Sequence, residues 1–62
     1  MSYLTDDQKP VAKLALEMGY WQHEIAAYYS INQGRISEFK NSVEFKKTAS
    51  APGLPTDFPV RH

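Results

Sequence analysis

The break at positions 30–32 limits the fold of this chain more than any other feature of its sequence. Before the break, Ile25 and Ala26 lie at the centre of a short amphipathic segment. After it, Ile36 and Phe39 have the spacing of one helical face. Two helices that are joined by so short a connection cross closely at one point, so the side chain at that point must be small. Ala26 meets this requirement, and we expect a closely packed pair of helices.

The apolar periodicity predicts three helices, over about residues 6–18, 22–29 and 33–45. The apolar stripe of the first segment consists of Val11, Leu14, Ala15 and Met18. We expect Thr5 to cap the start of this helix and Gly19 to take a positive φ after its end. Pro10 lies inside the segment, where we expect an early helix start with a local distortion.

The second and third segments differ in their start signals. Asn32 is a good N-cap for the third, because its side-chain oxygen can accept a backbone N–H of the first turn. The second has no such residue, and we expect Trp21 to pack against Ile25 as a hydrophobic staple. Val43 continues the apolar spacing of Ile36 along the third segment, which predicts that Val43 is buried.

The character of the chain changes near its C-terminus. Residues 48–62 contain three of the four prolines, so they cannot form a helix. We interpret residues 1–47 as one helical domain and residues 48–62 as an extended tail that is disordered or lies on a surface. Prolines separate the apolar residues Leu54, Phe58 and Val60, which is typical of a segment that docks into a groove of a partner protein.

A chain of 62 residues without cysteine cannot be stabilised by disulfides. It also lacks the thiolate ligands of most zinc sites, and His23 and His62 are far apart in sequence, so we expect no metal and no cofactor. A small core leaves oligomerisation as a source of stability, and we expect a homodimer. The absence of a nucleophile–base pair and of paired carboxylates predicts that the protein is not an enzyme.

Charge and hydropathy limit the partners. No apolar run reaches the length of a membrane span and no leader pattern is present, so we expect no membrane contact and a cytoplasmic location. The formal net charge is zero. Residues 20–47 carry four basic and three acidic groups (+1), and residues 1–19 carry two basic and three acidic groups (−1). The neutral net charge argues against a protein that coats any DNA duplex without selectivity, and the slight positive bias of residues 20–47 is in the direction that DNA binding requires.

The run from Gln22 to Phe39, QHEIAAYYSINQGRISEF, resembles the helix-turn-helix of phage repressors and small bacterial regulators. It is also similar to short bacterial proteins that carry the pattern I-A-x-x-x-x-[VI]-N-Q-G-R-[IV]-S-E. The resemblance implies an all-α fold, a three-helix bundle containing a helix-turn-helix, with the Pro-rich tail outside it. Ser30 stands where such turns usually have glycine, and a positive φ at this residue would carry strain.

The resemblance also implies that the third helix enters the major groove of double-stranded DNA. The residues that it places against DNA are Gln22, Asn32, Gln33, Gly34, Arg35, Ser37, Glu38 and Lys40. Arg35 has the paired donors that read guanine, Gln33 can read adenine, and Glu38 can accept from cytosine. Lysines such as Lys40, Lys46 and Lys47 suit contacts to phosphates.

We therefore expect sequence-selective binding of double-stranded DNA, as in a transcriptional regulator of bacterial or phage type. The alternative is a non-enzymatic adaptor that uses the same helices to bind another protein, for example a phage-encoded modulator.

Overall fold

The computed structural model describes residues 3–60, and this part of the chain is helical and contains no strand, as the all-α class predicts. The helices are α1 (Gln8–Glu17), α2 (Gln22–Tyr29), α3 (Gln33–Lys40) and α4 (Val43–Lys47). The described residues thus form four helices where the sequence predicts three. The outermost residues of the predicted domain and tail, Met1, Ser2, Arg61 and His62, lie outside the described residues.

Thr5 bonds to the start of α1, but α1 begins later than expected, and its N-cap is Asp7, which forms no side-chain cap hydrogen bond. The Thr5 hydroxyl oxygen accepts from the Gln8 backbone N–H at 3.3 Å, and the Gln8 side-chain oxygen accepts from the Thr5 N–H at 3.0 Å. This reciprocal pair closes the turn that leads into the helix. Because the helix begins at Gln8, Pro10 falls in its first turn, where the N–H that proline lacks is not needed. The expected early start at residue 6 is therefore wrong.

α1 and α2 end in the same way. Gly19 after α1 has a φ of 93°, and Ser30 after α2 has a φ of 56° and a ψ of 42°. In each case the next residue donates its N–H to a carbonyl five positions earlier, at 3.0 Å: Tyr20 to Ala15, and Ile31 to Ala26. These are Schellman motifs, in which a left-handed residue reverses the chain. The positive φ predicted at Gly19 is confirmed, and at Ser30 the serine itself adopts the strained conformation.

The third predicted helix is interrupted at Asn41 and Ser42. The Asn41 amide donates to the Ser37 carbonyl at 3.0 Å, and the Ser42 hydroxyl donates to the Phe39 carbonyl at 2.7 Å. The same hydroxyl accepts from the Phe45 N–H at 3.3 Å and so caps α4. Side-chain bonds to the local backbone thus end one helix and start the next. The predicted continuous helix over 33–45 is wrong.

This restart changes which side chain of α4 packs against the core. Val43, which the spacing places in the core, is 70% exposed. Phe45 takes its place and packs edge-on against Phe39, with ring centroids 5.3 Å apart. The Lys13 ammonium then donates to the carbonyls of Phe45 and Thr48 at 2.6 and 2.8 Å, which ties the end of α4 to α1. A cation is favourable there, since the last carbonyls of a helix lack backbone partners.

The core of the described residues consists of Leu4, Ala12, Ala15, Tyr20, Ile25, Ala26, Ile36, Phe39 and Phe58. The predicted burial of Ile25, Ala26, Ile36 and Phe39 is confirmed. α1 contributes two fully buried alanines, whose small side chains let its backbone approach the neighbouring helix closely. Met18, the last residue of the predicted apolar stripe, is 43% exposed, because α1 turns its alanine face inward.

The segment over residues 48–60 lies on the helices of its own chain. Phe58 is buried against Tyr20 and Tyr28, with ring centroids 5.1 and 4.5 Å away. The Tyr20 hydroxyl donates to the Pro59 carbonyl at 2.7 Å, and the Tyr28 hydroxyl donates to the Asp57 carboxylate at 2.7 Å. Phe58 therefore fills the protein's own core, which corrects its predicted role in docking to a partner.

The left-handed conformation of Ser30 generates a stability prediction. A β-carbon in this region costs about 1–2 kcal/mol, whereas glycine costs about 0.5–1 kcal/mol of chain entropy. We expect Ser30→Gly to raise the free energy of unfolding by about 0.5–1 kcal/mol, measured by urea denaturation. Ser30→Ala keeps the β-carbon and is the matched control, for which no gain is expected. A Ser30→Gly protein less stable than the wild type would contradict the assigned turn.

The contact between Tyr28 and Asp57 generates a prediction about pH. The hydrogen bond to Asp57, with burial and the nearby negative charge, raises the pKa of Tyr28 from 10.0 to about 12. The folded protein then holds this proton more tightly than the unfolded chain. The contact therefore stabilises the fold fully below about pH 10, and this stability is lost as the pH rises through about 12.

Absorbance of tyrosinate against pH measures this effect. One of the four tyrosines should titrate last in the wild type, and its pKa should fall towards the ordinary value in Asp57→Asn. Asp7→Asn removes an exposed carboxylate elsewhere and should leave the curve unchanged. An identical titration of wild type and Asp57→Asn would show that the segment is not held through Tyr28.

Candidate nucleic-acid interface

Tight packing between α2 and α3 fixes the orientation of α3. Ile25 and Ile36 are fully buried, and Ala26 at 4% exposure lies between the two helices in the same core. Ile31 in the three-residue connection is half-buried and packs against this core. Because these contacts occupy one side of α3, its remaining side chains face solvent from a rigid support.

The outermost face of α3 is formed by residues at helical spacing: Gly34, Ser37, Glu38 and Asn41. Three of them belong to the predicted DNA-binding set, and Asn41 does not. The sequence prediction missed Asn41 because it placed the DNA contacts mainly in the first two turns of the helix. The spacing of three and four residues from Ser37 and Glu38 is the signal that could have found it.

The predicted residues differ in exposure. Asn32, Gln33, Gly34, Glu38 and Lys40 are exposed, and Gln22, Arg35 and Ser37 are half-buried. The predicted cap is confirmed, since the Asn32 side-chain oxygen accepts from the Gly34 N–H at 2.7 Å. That oxygen is therefore engaged in starting α3, and the Asn32 amide nitrogen is the part of the side chain that remains for a ligand.

One flank of α3 brings together three predicted residues. Gln33 and Lys40 line a shallow depression with Gln22 from the first turn of α2. The exposed rings of Trp21 and His23 line the same depression, with centroids 5.2 Å apart. We name this surface the Trp21 flank. Its polar groups are amides, an imidazole and an ammonium, all of which can donate hydrogen bonds.

The opposite flank of α3 holds Arg35, away from Gln33. The Arg35 guanidinium forms a salt bridge with Glu38 at 3.0 Å and lies over the Tyr3 ring at 4.1 Å. Its side chain is only 22% exposed. Lys9 and Glu44 line the same cleft and pair with each other at 2.8 Å. The eight predicted residues therefore do not form a single surface, because the helix separates Arg35 and Glu38 from the Trp21 flank.

For the binding of an anion, the pairing of the charged side chains in this region matters more than the net charge of the chain. Hydrogen bonds to Glu44 raise the pKa of Lys9, whose ammonium is engaged with that carboxylate. Each acidic residue of the α2–α4 region has a partner: Glu24 accepts from the Trp21 N–H, Glu38 pairs with Arg35, and Glu44 with Lys9. By contrast, the three lysines of the α2–α4 region form no salt bridge within residues 3–60: Lys40, Lys46 and Lys47.

Trp21 does not take the buried position that the sequence pattern predicts. Its side chain is 68% exposed, while that of Tyr20 is 7% exposed. Trp21 itself is the extended N-cap residue of α2, so Tyr20 holds the position before the cap that a staple uses, and it shares the core with Ile25. The Glu24 carboxylate accepts from the Trp21 N–H at 2.9 Å and supplies the cap that the sequence lacks.

Comparison of the chain with models of protein families, with curated proteins and with solved structures gave no match. Within residues 3–60, no group of three histidine, aspartate or glutamate side chains is placed to hold a metal ion. None of the helices in the same range is long and apolar enough to cross a membrane.

The engagement of Arg35 can be tested by a double-mutant cycle. Because Glu38 is 67% exposed at its side chain, we expect a coupling free energy of about 0.2–1 kcal/mol between Arg35→Ala and Glu38→Gln, measured by urea denaturation. The matched cycle pairs Arg35→Ala with Glu24→Gln, which removes a carboxylate that Arg35 does not contact and should give no coupling. Equal coupling in both cycles would contradict the Arg35–Glu38 pair.

Proposed function

We propose that α2, the Ser30 turn and α3 form a helix-turn-helix that binds double-stranded DNA, with α3 in the major groove. The observation that carries this proposal is the rigid presentation of α3. Its inner side packs on Ile25 and Ala26, and its outer side consists of polar or small residues from Gly34 to Asn41. A helix supported in this way, with a second helix across its inner side, matches the dimensions of the major groove.

Gln33 and Ser37 are the base-reading residues in this proposal. Gln33 is next to the outer face of α3, and Ser37 is part of that face. A glutamine amide can donate to and accept from an adenine edge. Gln22 and Lys40 lie with Gln33 on the Trp21 flank, where an amide and an ammonium suit phosphate oxygens. Arg35 reads guanine only after it leaves Glu38, so its contribution depends on breaking a surface ion pair that contributes little to stability.

The unpaired lysines support electrostatic attraction to DNA despite a net charge of zero. Lys40 ends α3, and Lys46 and Lys47 belong to α4, which follows at once in the chain. In the same region, Glu38 and Glu44 are paired with cations, and Glu24 accepts from a backbone N–H. Few free cations predict modest affinity with a shallow dependence on salt, since each phosphate contact adds about one to the salt slope.

The biological role that fits such binding is non-enzymatic regulation of transcription in the cytoplasm. A homodimer would present two α3 faces to a palindromic site and compensate for the small contact area of one copy. The adaptor role, in which these helices bind another protein, is the outcome that remains if DNA binding fails.

The test is titration of fluorescently labelled random-sequence duplexes at low salt, repeated at increasing salt. We expect Lys40→Ala to weaken binding to all sequences and to lower the salt slope by about one. Gln33→Ala should instead relax selectivity after duplexes are selected from the random pool, by about 1–3 kcal/mol at the base pair it reads.

Thr56→Ala is the matched control, because Thr56 is exposed and lies outside all four helices. It should change neither affinity nor selectivity. Failure of the wild type to bind any duplex at low salt would refute the proposed function. A Lys40→Ala protein with an unchanged salt slope would refute the assignment of Lys40 to a phosphate.

A further inference from the structure

The exposure of Trp21 has no explanation in the packing of the protein. Trp21 is the only tryptophan of the chain, and its side chain is 68% exposed. The adjacent Tyr20 has the buried position, where its ring packs on Phe58 at 5.1 Å. The part of Trp21 that serves the fold is its backbone, as the N-cap of α2. A large apolar ring left in water marks a surface for binding.

The Trp21 ring is nevertheless held in a defined place. Its backbone is extended, with φ −76° and ψ 149°, and its N–H donates to Glu24 at 2.9 Å. Its ring contacts the His23 ring edge-on, with centroids 5.2 Å apart. The indole N–H forms no hydrogen bond with a residue of the described range. The backbone of Trp21 is therefore fixed by the fold, and its ring keeps a donor that is available to a ligand.

The surroundings of Trp21 favour an anionic ligand. The side chains that share its depression include those of Gln22, Gln33 and Lys40, and the Glu24 carboxylate beside it is engaged with the Trp21 backbone N–H. The cleft on the other flank of α3 is lined by Glu38 and Glu44. A polyanion therefore meets hydrogen-bond donors on the Trp21 flank, whereas the cations of the other flank, Arg35 and Lys9, are already paired with carboxylates.

On the basis of the DNA-binding function proposed above, we propose that Trp21 contacts the sugar–phosphate backbone of the duplex at the edge of the groove that α3 enters. Its ring packs against a deoxyribose, and its indole N–H donates to a phosphate oxygen. The Lys40 ammonium, on the same flank, neutralises phosphate charge nearby. Trp21 thus adds apolar area to an interface whose cations are few.

A single tryptophan makes this contact directly observable. Fluorescence is excited at the red edge of the absorption band, where tyrosines do not absorb, while a random-sequence duplex pool is added at low salt. We expect the Trp21 emission to be quenched and shifted to shorter wavelength, in parallel with the anisotropy of a labelled duplex. Trp21→Ala should weaken duplex binding by about tenfold, and Trp21→Phe, which keeps a ring without the N–H, by less.

The matched control is Val60→Ala, since Val60 is 81% exposed and lies outside the helices. It should bind duplex as the wild type does. Circular dichroism of Trp21→Ala should be unchanged, because the side chain is not part of the core.

The outcomes separate this contact from DNA binding itself. Duplex binding with unchanged Trp21 emission and wild-type affinity of Trp21→Ala would overturn the contact and leave the proposed function standing. Tighter binding of the separated strands than of the duplex, with quenching, would overturn it in favour of stacking on bases. Absence of any duplex binding by the wild type would overturn both.

Discussion

The left-handed turn at Ser30 is the constraint on which the arrangement of this protein depends. With a φ of 56°, Ser30 reverses the chain immediately after α2, and the Ile31 N–H closes on the Ala26 carbonyl at 3.0 Å. The connection is then so short that α3 must cross α2 at the small Ala26 side chain, where Ile25 and Ile36 become fully buried. The strain of one β-carbon is offset by this packing, and the exposed side of α3 is fixed as a consequence.

A chain of this size buries little surface, so each additional apolar contact counts. Without cysteine, the described residues complete their core with Phe58, which comes from the Pro-rich segment and packs on Tyr20 and Tyr28. The prolines limit the unfolded states of this segment and so lower the entropy that is lost when it is placed. The segment therefore contributes Phe58 to the core, and Leu54 packs against it.

Local signals predicted the parts of the fold that depend on nearest neighbours. The bounds of α2, the bonds between Thr5 and Gln8 and the cap at Asn32 follow from side chains that bond within a few residues. The break at Ser42 was missed because apolar periodicity continues through it to Val43, while a hydroxyl bond to the backbone decides the outcome. The position of Phe58 was predicted wrongly for the opposite reason. Its partners, Tyr20 and Tyr28, lie far away in sequence, and no local pattern indicates these contacts.

In the candidate site, the charged residues can be counted from the sequence, but the pairing of their charges depends on the three-dimensional arrangement. Net charge counts Arg35 and Lys40 equally, yet Arg35 is engaged with Glu38 at 3.0 Å and Lys40 forms no salt bridge with a described residue. A phosphate contacts the Lys40 ammonium without displacing another group. To contact the Arg35 guanidinium, it must first displace the Glu38 carboxylate. If the proposed DNA binding holds, we expect selectivity to follow from this difference. A chain without net charge would then gain little from DNA in general, and Arg35 would leave Glu38 only where a guanine edge offers acceptors that replace the carboxylate oxygens.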